Sequence, residues 1–167
     1  SYELRWPDIT FRERMSLRLG GTEFLLFRSP GHTRGQTIVH VPGERVVMTA
    51  DNIVHGAPPF FHDADLWGWF ESLALLESLD VAWFIPGHGT PCRKDWIPRQ
   101  RGKMYGIIDE VREAKARGLA REEAQREIHY IDRPGFESPD YMAERMRTLE
   151  GIGIGNIYDQ LGAHPGM

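Results

Sequence analysis

The hydrophobic period of the chain changes once, near residue 93, and that change limits the folds open to it. Before it, Phe11, Met15, Leu17 and Leu19 alternate with Arg12, Arg14, Ser16 and Arg18, the period of a half-buried strand. Gly20-Gly21 then signals a turn, and Thr22 to Arg28 reads as the returning strand of a hairpin. Thr37 to Val41 and Arg45 to Ala50 make a second pair around Pro42-Gly43-Glu44, and Val46-Val47-Met48, apolar on both faces, predicts a strand buried on both sides. Asp65 is placed to cap a helix in which Leu66, Phe70, Leu73, Leu76 and Leu79 recur at helical spacing. Val81 to Ile85 follows as a short strand, so strand, helix and strand form a βαβ-like unit.

After residue 93 the period is helical. Met104, Ile107, Ile108 and Val111 share one helix face, with Gly118 as its stop. Further helices are predicted over Arg121 to Tyr130 and Pro139 to Leu149, with Asp132 to Ser138 as a linker between them. The expectation is an α+β chain in two parts, residues 1–93 with the strands and residues 94–167 as a helical region packed on them.

Composition excludes several classes. With 41% hydrophobic residues among 167, the chain has material for a core, so wholesale disorder is excluded. A formal net charge of -4 and no long basic block give no support to nucleic acid binding. The longest apolar runs, such as Val81 to Pro86, fall far short of a membrane span. No apolar segment opens the chain at Ser1 to Trp6, and the first residue is not Met; the expectation is a cytoplasmic protein whose upstream segment, with any export signal, is absent. A single cysteine, Cys92, excludes an internal disulfide framework and suits a reducing compartment.

Three polar residues fall at strand ends, where chemistry concentrates. His32 follows the Phe24 to Phe27 strand, Asp51 ends the Val46 to Ala50 strand, and His88 follows Val81 to Ile85. Two imidazoles and a carboxylate suit zinc or non-haem iron, and neighbouring glycines let the backbone approach an ion closely. Singly, each has a plainer reading as a turn residue or a solvated cap. Together, on one edge of consecutive strands, they favour a metal site.

The motifs Ser29-Pro30-Gly31-His32-Thr33-Arg34-Gly35, Val46-Val47-Met48-Thr49-Ala50-Asp51 and Ile85-Pro86-Gly87-His88-Gly89 resemble the last three metal-binding motifs of the metallo-β-lactamase-fold hydrolases. Arg121-Glu122-Glu123-Ala124 and Asn156-Ile157-Tyr158 in the helical tail also resemble a broad group of them, so the resemblance covers most of the chain. Two departures stand out. Many members have Gly where this chain has Ala50. The main signature, His-x-His-x-Asp-His, is absent, since the seven histidines lie at 32, 40, 55, 62, 88, 129 and 164.

The resemblance implies the C-terminal half of an αββα sandwich and a metal-dependent hydrolase that attacks with a metal-bound hydroxide. Its substrate would be an ester, thioester, lactone, lactam or phosphoester. In such a site His32 would complete one metal position, Asp51 would bridge two and act in catalysis, and His88 would complete the second. Two zinc ions would occupy the complete site, with iron or manganese as other occupants. The missing ligands would come from an N-terminal half, in the same parent chain, in a separate polypeptide or in another subunit of a homo-oligomer. His55, Phe60, Phe61 and His62 would lie near a small-molecule substrate, with Trp67 in the core.

Two other readings keep the fold: an iron-dependent redox enzyme, separated by metal identity, and a catalytically incomplete half-domain serving as a binding or assembly module. His40 reads as a satisfied sheet histidine, Cys92 as a buried thiol, and the charges from Arg112 to Arg126 as a solvated helix face. Gly151-Ile152-Gly153-Ile154-Gly155 follows a helix, not a strand, which argues against a nucleotide loop.

Overall fold

A computed structural model describes residues 3–134 and 143–163. The period-2 segments form β1 (Arg14–Leu19), β2 (Thr22–Arg28), β3 (Thr37–Val41), β4 (Val46–His55) and β5 (Trp83–Gly89). The helical segments form α1 (Leu66–Ser78, between β4 and β5), α2 (Trp96–Ala116), α3 (Arg121–Glu127) and α4 (Ala143–Ala163). One mixed sheet runs in the order β1-β2-β3-β4-β5: its first three pairings are antiparallel, and β4 pairs with β5 in parallel across α1. The architecture is α+β.

Asp65 caps α1, its Oδ1 accepting from the Gly68 backbone N–H at 3.1 Å. Phe70 of α1 stacks on Tyr105 of α2 at 4.5 Å, fixing the two helices against each other. Ile38, Val47 and Phe84 from adjacent strands join Trp69, Leu73, Ile97, Met104, Ile154 and Ile157 from the helices in one core cluster. The helices therefore cover one sheet face. On the other face, cross-strand pairing puts Met15 beside Leu26, Leu26 beside Val39, Val39 beside Met48, and Met48 beside Ile85. These apolar side chains are half-buried or exposed and lie outside the core cluster.

The expectation that Val46 to Met48 is buried on both sides is corrected here. Val47 is fully buried, but Met48 is 38% exposed because it points to the uncovered face. The Pro86–Gly89 segment, expected as a loop after a strand, continues β5 alongside β4, so His88 is a strand residue opposite Val54. In the tail, α4 runs on through Gly151, Gly153 and Gly155 to Ala163; the start expected at Pro139 lies outside the described residues. No helix among the described residues is long and apolar enough to cross a membrane.

Candidate functional site

The site begins with an irregularity inside β4. Register shifts separate Met48 from Ala50 and Ala50 from Val54 in its pairing with β5, and Ala50 takes a left-handed backbone, φ 44°. The Asp51 carboxylate lies between two imidazoles. Its Oδ1 accepts from His88 Nδ1 at 2.6 Å, and its Oδ2 lies 3.7 Å from His32 Nε2. Each carboxylate oxygen thus faces a different histidine.

Missing side chains make this approach possible. A Cβ on Gly87 would sit 2.1 Å from Asp51 Oδ1, and one on Gly31 would sit 2.2 Å from Asn52 Oδ1. Any larger residue at either position would displace the groups that form the site.

His32 is held at three points. Its backbone N–H donates to Asn52 Oδ1 at 2.9 Å, and its Nδ1 lies 3.1 Å from the Phe60 carbonyl. A carbonyl can only accept, so Nδ1 carries the proton and the neutral ring keeps a free lone pair on Nε2. The third support is Trp69, whose ring meets His32 edge-on at 5.8 Å. Burial lowers the His32 pKa, with His62 and His88 adding to the effect, while Asp51 and the Phe60 carbonyl oppose it.

Asn52 is fully buried, and its Nδ2 donates to the Ser29 carbonyl at 2.7 Å. Its own carbonyl accepts from Trp69 Nε1 at 2.9 Å and Gln100 Nε2 at 2.8 Å. Gln100 Oε1 also accepts from the Val54 N–H at 3.0 Å. The glutamine amide thereby fills the interval where the β4 ladder is interrupted. Asn52 and Gln100 were not singled out from the sequence. Their roles follow from the register shift, which leaves no periodicity to read; adjacency to Asp51 was the only signal for Asn52.

The other sequence candidates separate. His62 lies beside His32, ring centroids 5.5 Å apart, and Phe60 contributes its carbonyl to the same place. Phe61 is corrected from pocket wall to core residue, fully buried against Trp69 and Tyr130 because the 58–65 loop turns its side chain inward. His55 bonds Thr90 through Nδ1 at 2.9 Å and packs edge-on against Trp96. Trp67 packs against the core. His40 is buried, but its Nε2 has no hydrogen-bond partner among the described residues, unlike the satisfied histidine expected; burial lowers its pKa. The buried Cys92 pairs through both backbone polar groups with Phe84, and its thiol pKa is pushed up to about 11, chiefly by burial.

Among the described residues, no group of three or more His, Cys, Asp and Glu side chains closes around a common point. The donors present nevertheless fit a metal centre in kind. His32 is pre-set with its Nε2 lone pair facing a carboxylate oxygen across 3.7 Å, too far for a hydrogen bond. Asp51 offers its two oxygens in two directions. What the described residues lack is the number of donors that a coordination shell needs.

The mixed five-stranded sheet with helices on one face, and His32, Asp51 and His88 gathered beside β4 and β5, fit a metallo-β-lactamase-type protein. The sequence profile of the metallo-beta-lactamase superfamily matches residues 5–88, and the chain belongs to that superfamily. Its fold is shared by a metallo-beta-lactamase family protein from Thermus thermophilus, at TM-score 0.69 and 15% identity, over 96% of this chain and 50% of that one. A stereoselective inverting sec-alkylsulfatase from Pseudomonas sp. shares it at TM-score 0.61 and 17% identity, over 96% of this chain and 28% of that one. In sequence, 78 residues are 32% identical to the 2,4-dinitroanisole O-demethylase subunit alpha of Nocardioides sp. (strain JS1661), 46% of this chain and 24% of that relative. The chain thus spans from about a quarter to a half of the length of these proteins.

Proposed function

We propose that this chain is the C-terminal half of a metal-dependent hydrolase and supplies His32, Asp51 and His88 to a site completed by an N-terminal half. The observation that carries this reading is Asp51, with a different imidazole facing each carboxylate oxygen. Such a carboxylate suits a bridge between two metal positions. Ions held there would supply Lewis acidity and lower the pKa of bound water toward neutrality. The Phe60 carbonyl and the Asn52 side chain orient His32, and Gly87 leaves the space that the carboxylate occupies.

The uncovered sheet face supports the same reading. Met15, Leu26, Val39, Met48 and Ile85 form a continuous apolar surface across all five strands, on the side where a sandwich places its second sheet. The substrate is an ester, thioester, lactone, lactam or phosphoester. The partial match to a demethylase subunit adds an aryl methyl ether to the bonds worth testing.

The test is a panel of these substrates, with 2,4-dinitroanisole included, offered to the parent protein. His32→Ala and His88→Ala are each expected to lower kcat by about 100-fold or more, because each removes a ligand from the reacting centre. Turnover unchanged by both substitutions would leave the binding or assembly module as the reading.

A further inference from the structure

The tail helix reaches the candidate site without contributing a ligand to it. Asn156 of α4 donates through Nδ2 to the carbonyls of Phe61 at 2.7 Å and Ala64 at 2.9 Å. One turn on, Gln160 donates to the same Ala64 carbonyl at 2.8 Å and to Asn156 Oδ1 at 2.9 Å, while its Oε1 accepts from the Leu66 N–H at 2.9 Å. The three amide contacts to the loop carbonyls span 92 to 96 residues of chain. Gly153 lets the helix come close: a Cβ there would lie 3.3 Å from the Phe61 backbone nitrogen. Two side-chain amides and a bare helix surface therefore clamp residues 61–66.

The clamped segment is the one that sets His32. Phe60, next to Phe61, presents the carbonyl that faces His32 Nδ1, and the Asp65 N–H donates to the Gly31 carbonyl at 2.9 Å. The loop thus holds both the ring of His32 and the backbone before it.

We propose that Asn156 is a positioning residue for His32: by fixing the 61–66 loop from α4, it aims the Phe60 carbonyl at Nδ1 and so selects the tautomer whose Nε2 is free to bind a metal. The value of that tautomer rests on the metal-site reading given above; the tautomer itself does not. Without the Asn156 amide, the Phe61 carbonyl loses its donor from α4 and Ala64 keeps only Gln160. The Phe60 carbonyl is then free to shift, and His32 divides between its two neutral forms.

The experiment is long-range 15N–1H NMR of the histidine rings in the full chain without metal, near pH 8, comparing the native protein with Asn156→Ala. The native spectrum is expected to show His32 protonated at Nδ1 alone. Asn156→Ala is expected to show a mixture of at least about one part Nε2–H to five of Nδ1–H, with the His129 pattern and the far-ultraviolet circular dichroism unchanged. If Asn156→Ala does not fold, Gln160→Ala should shift His32 in the same direction to a smaller extent. A native His32 protonated at Nε2, or a folded variant that keeps pure Nδ1–H, would overturn the inference. Cobalt(II) titrated into both samples keeps the two ideas separable. A tautomer shift with no cobalt bound by either protein upholds the role of Asn156 and counts against the metal reading. Cobalt bound by both proteins with no shift does the reverse.

Discussion

Ala50 has a backbone that most residues avoid. Its φ of 44° places Cβ against the following carbonyl, at a cost of roughly 1–2 kcal/mol for an L-residue. The strain sits one residue before Asp51, where it turns β4 out of its pairing register and swings the carboxylate between the two histidines. Ala50→Gly removes the strain but gains freedom in the unfolded chain, so a net stabilisation of about 0.5–1 kcal/mol is expected. Urea denaturation checks it, and a loss of stability would mean that the methyl group makes a contact worth more than the strain. The sequence already marked this position as a departure from the pattern it resembles, in which Gly is common. It also marked His32, Asp51 and His88, since a histidine beside glycine or an acid closing an apolar run is visible one residue at a time. Phe61 misled for the same reason: an aromatic in a loop looks the same whether the loop turns it outward or inward.

At the scale of elements, what matters is how helix side chains complete a strand that has lost its ladder. Gln100, 2% exposed on α2, supplies a donor to Asn52 and an acceptor to Val54, while Trp69 of α1 and Trp96 of α2 donate to the carbonyls of the same two residues. Gln100→Ala leaves the Val54 N–H buried without a partner and opens a cavity, for an expected loss of about 2–4 kcal/mol of stability in urea denaturation. A loss under about 1 kcal/mol would mean that water replaces the amide without penalty. The strands and helices themselves were legible, since period-2 runs and helical spacing depend only on which face is apolar. Their ends were less so. β5 continues through Pro86-Gly87-His88-Gly89, residues that ordinarily stop a strand, because β4 offers a partner even there. The Gly151, Gly153 and Gly155 run likewise lies past the helix end expected at Leu149 but continues α4, held by Asn156, Gln160 and the fit of Gly153 against Phe61.

Among the described residues, helices cover one sheet face and nothing covers the other, and the candidate site has fewer donors than a coordination shell needs. Both features are what the proposed N-terminal half would account for, and its presence can be tested from this chain. Met48→Lys, on the open face, should change the stability of the isolated chain by less than about 0.5 kcal/mol, as surface substitutions do. In a parent protein that carries the proposed second sheet, the same lysine would be buried without a partner, and a loss of more than about 2 kcal/mol is expected there. Equal small effects in both would mean that nothing covers this face. The claim on which the account rests is that these residues form half of a two-metal site, and metal content of the purified single chain tests it most directly. Elemental analysis after dialysis against trace metal is predicted to find one zinc or iron atom per chain or fewer, held weakly enough to be lost to a chelator within the dialysis. Two tightly held atoms per chain, with no second polypeptide in the sample, would contradict the account.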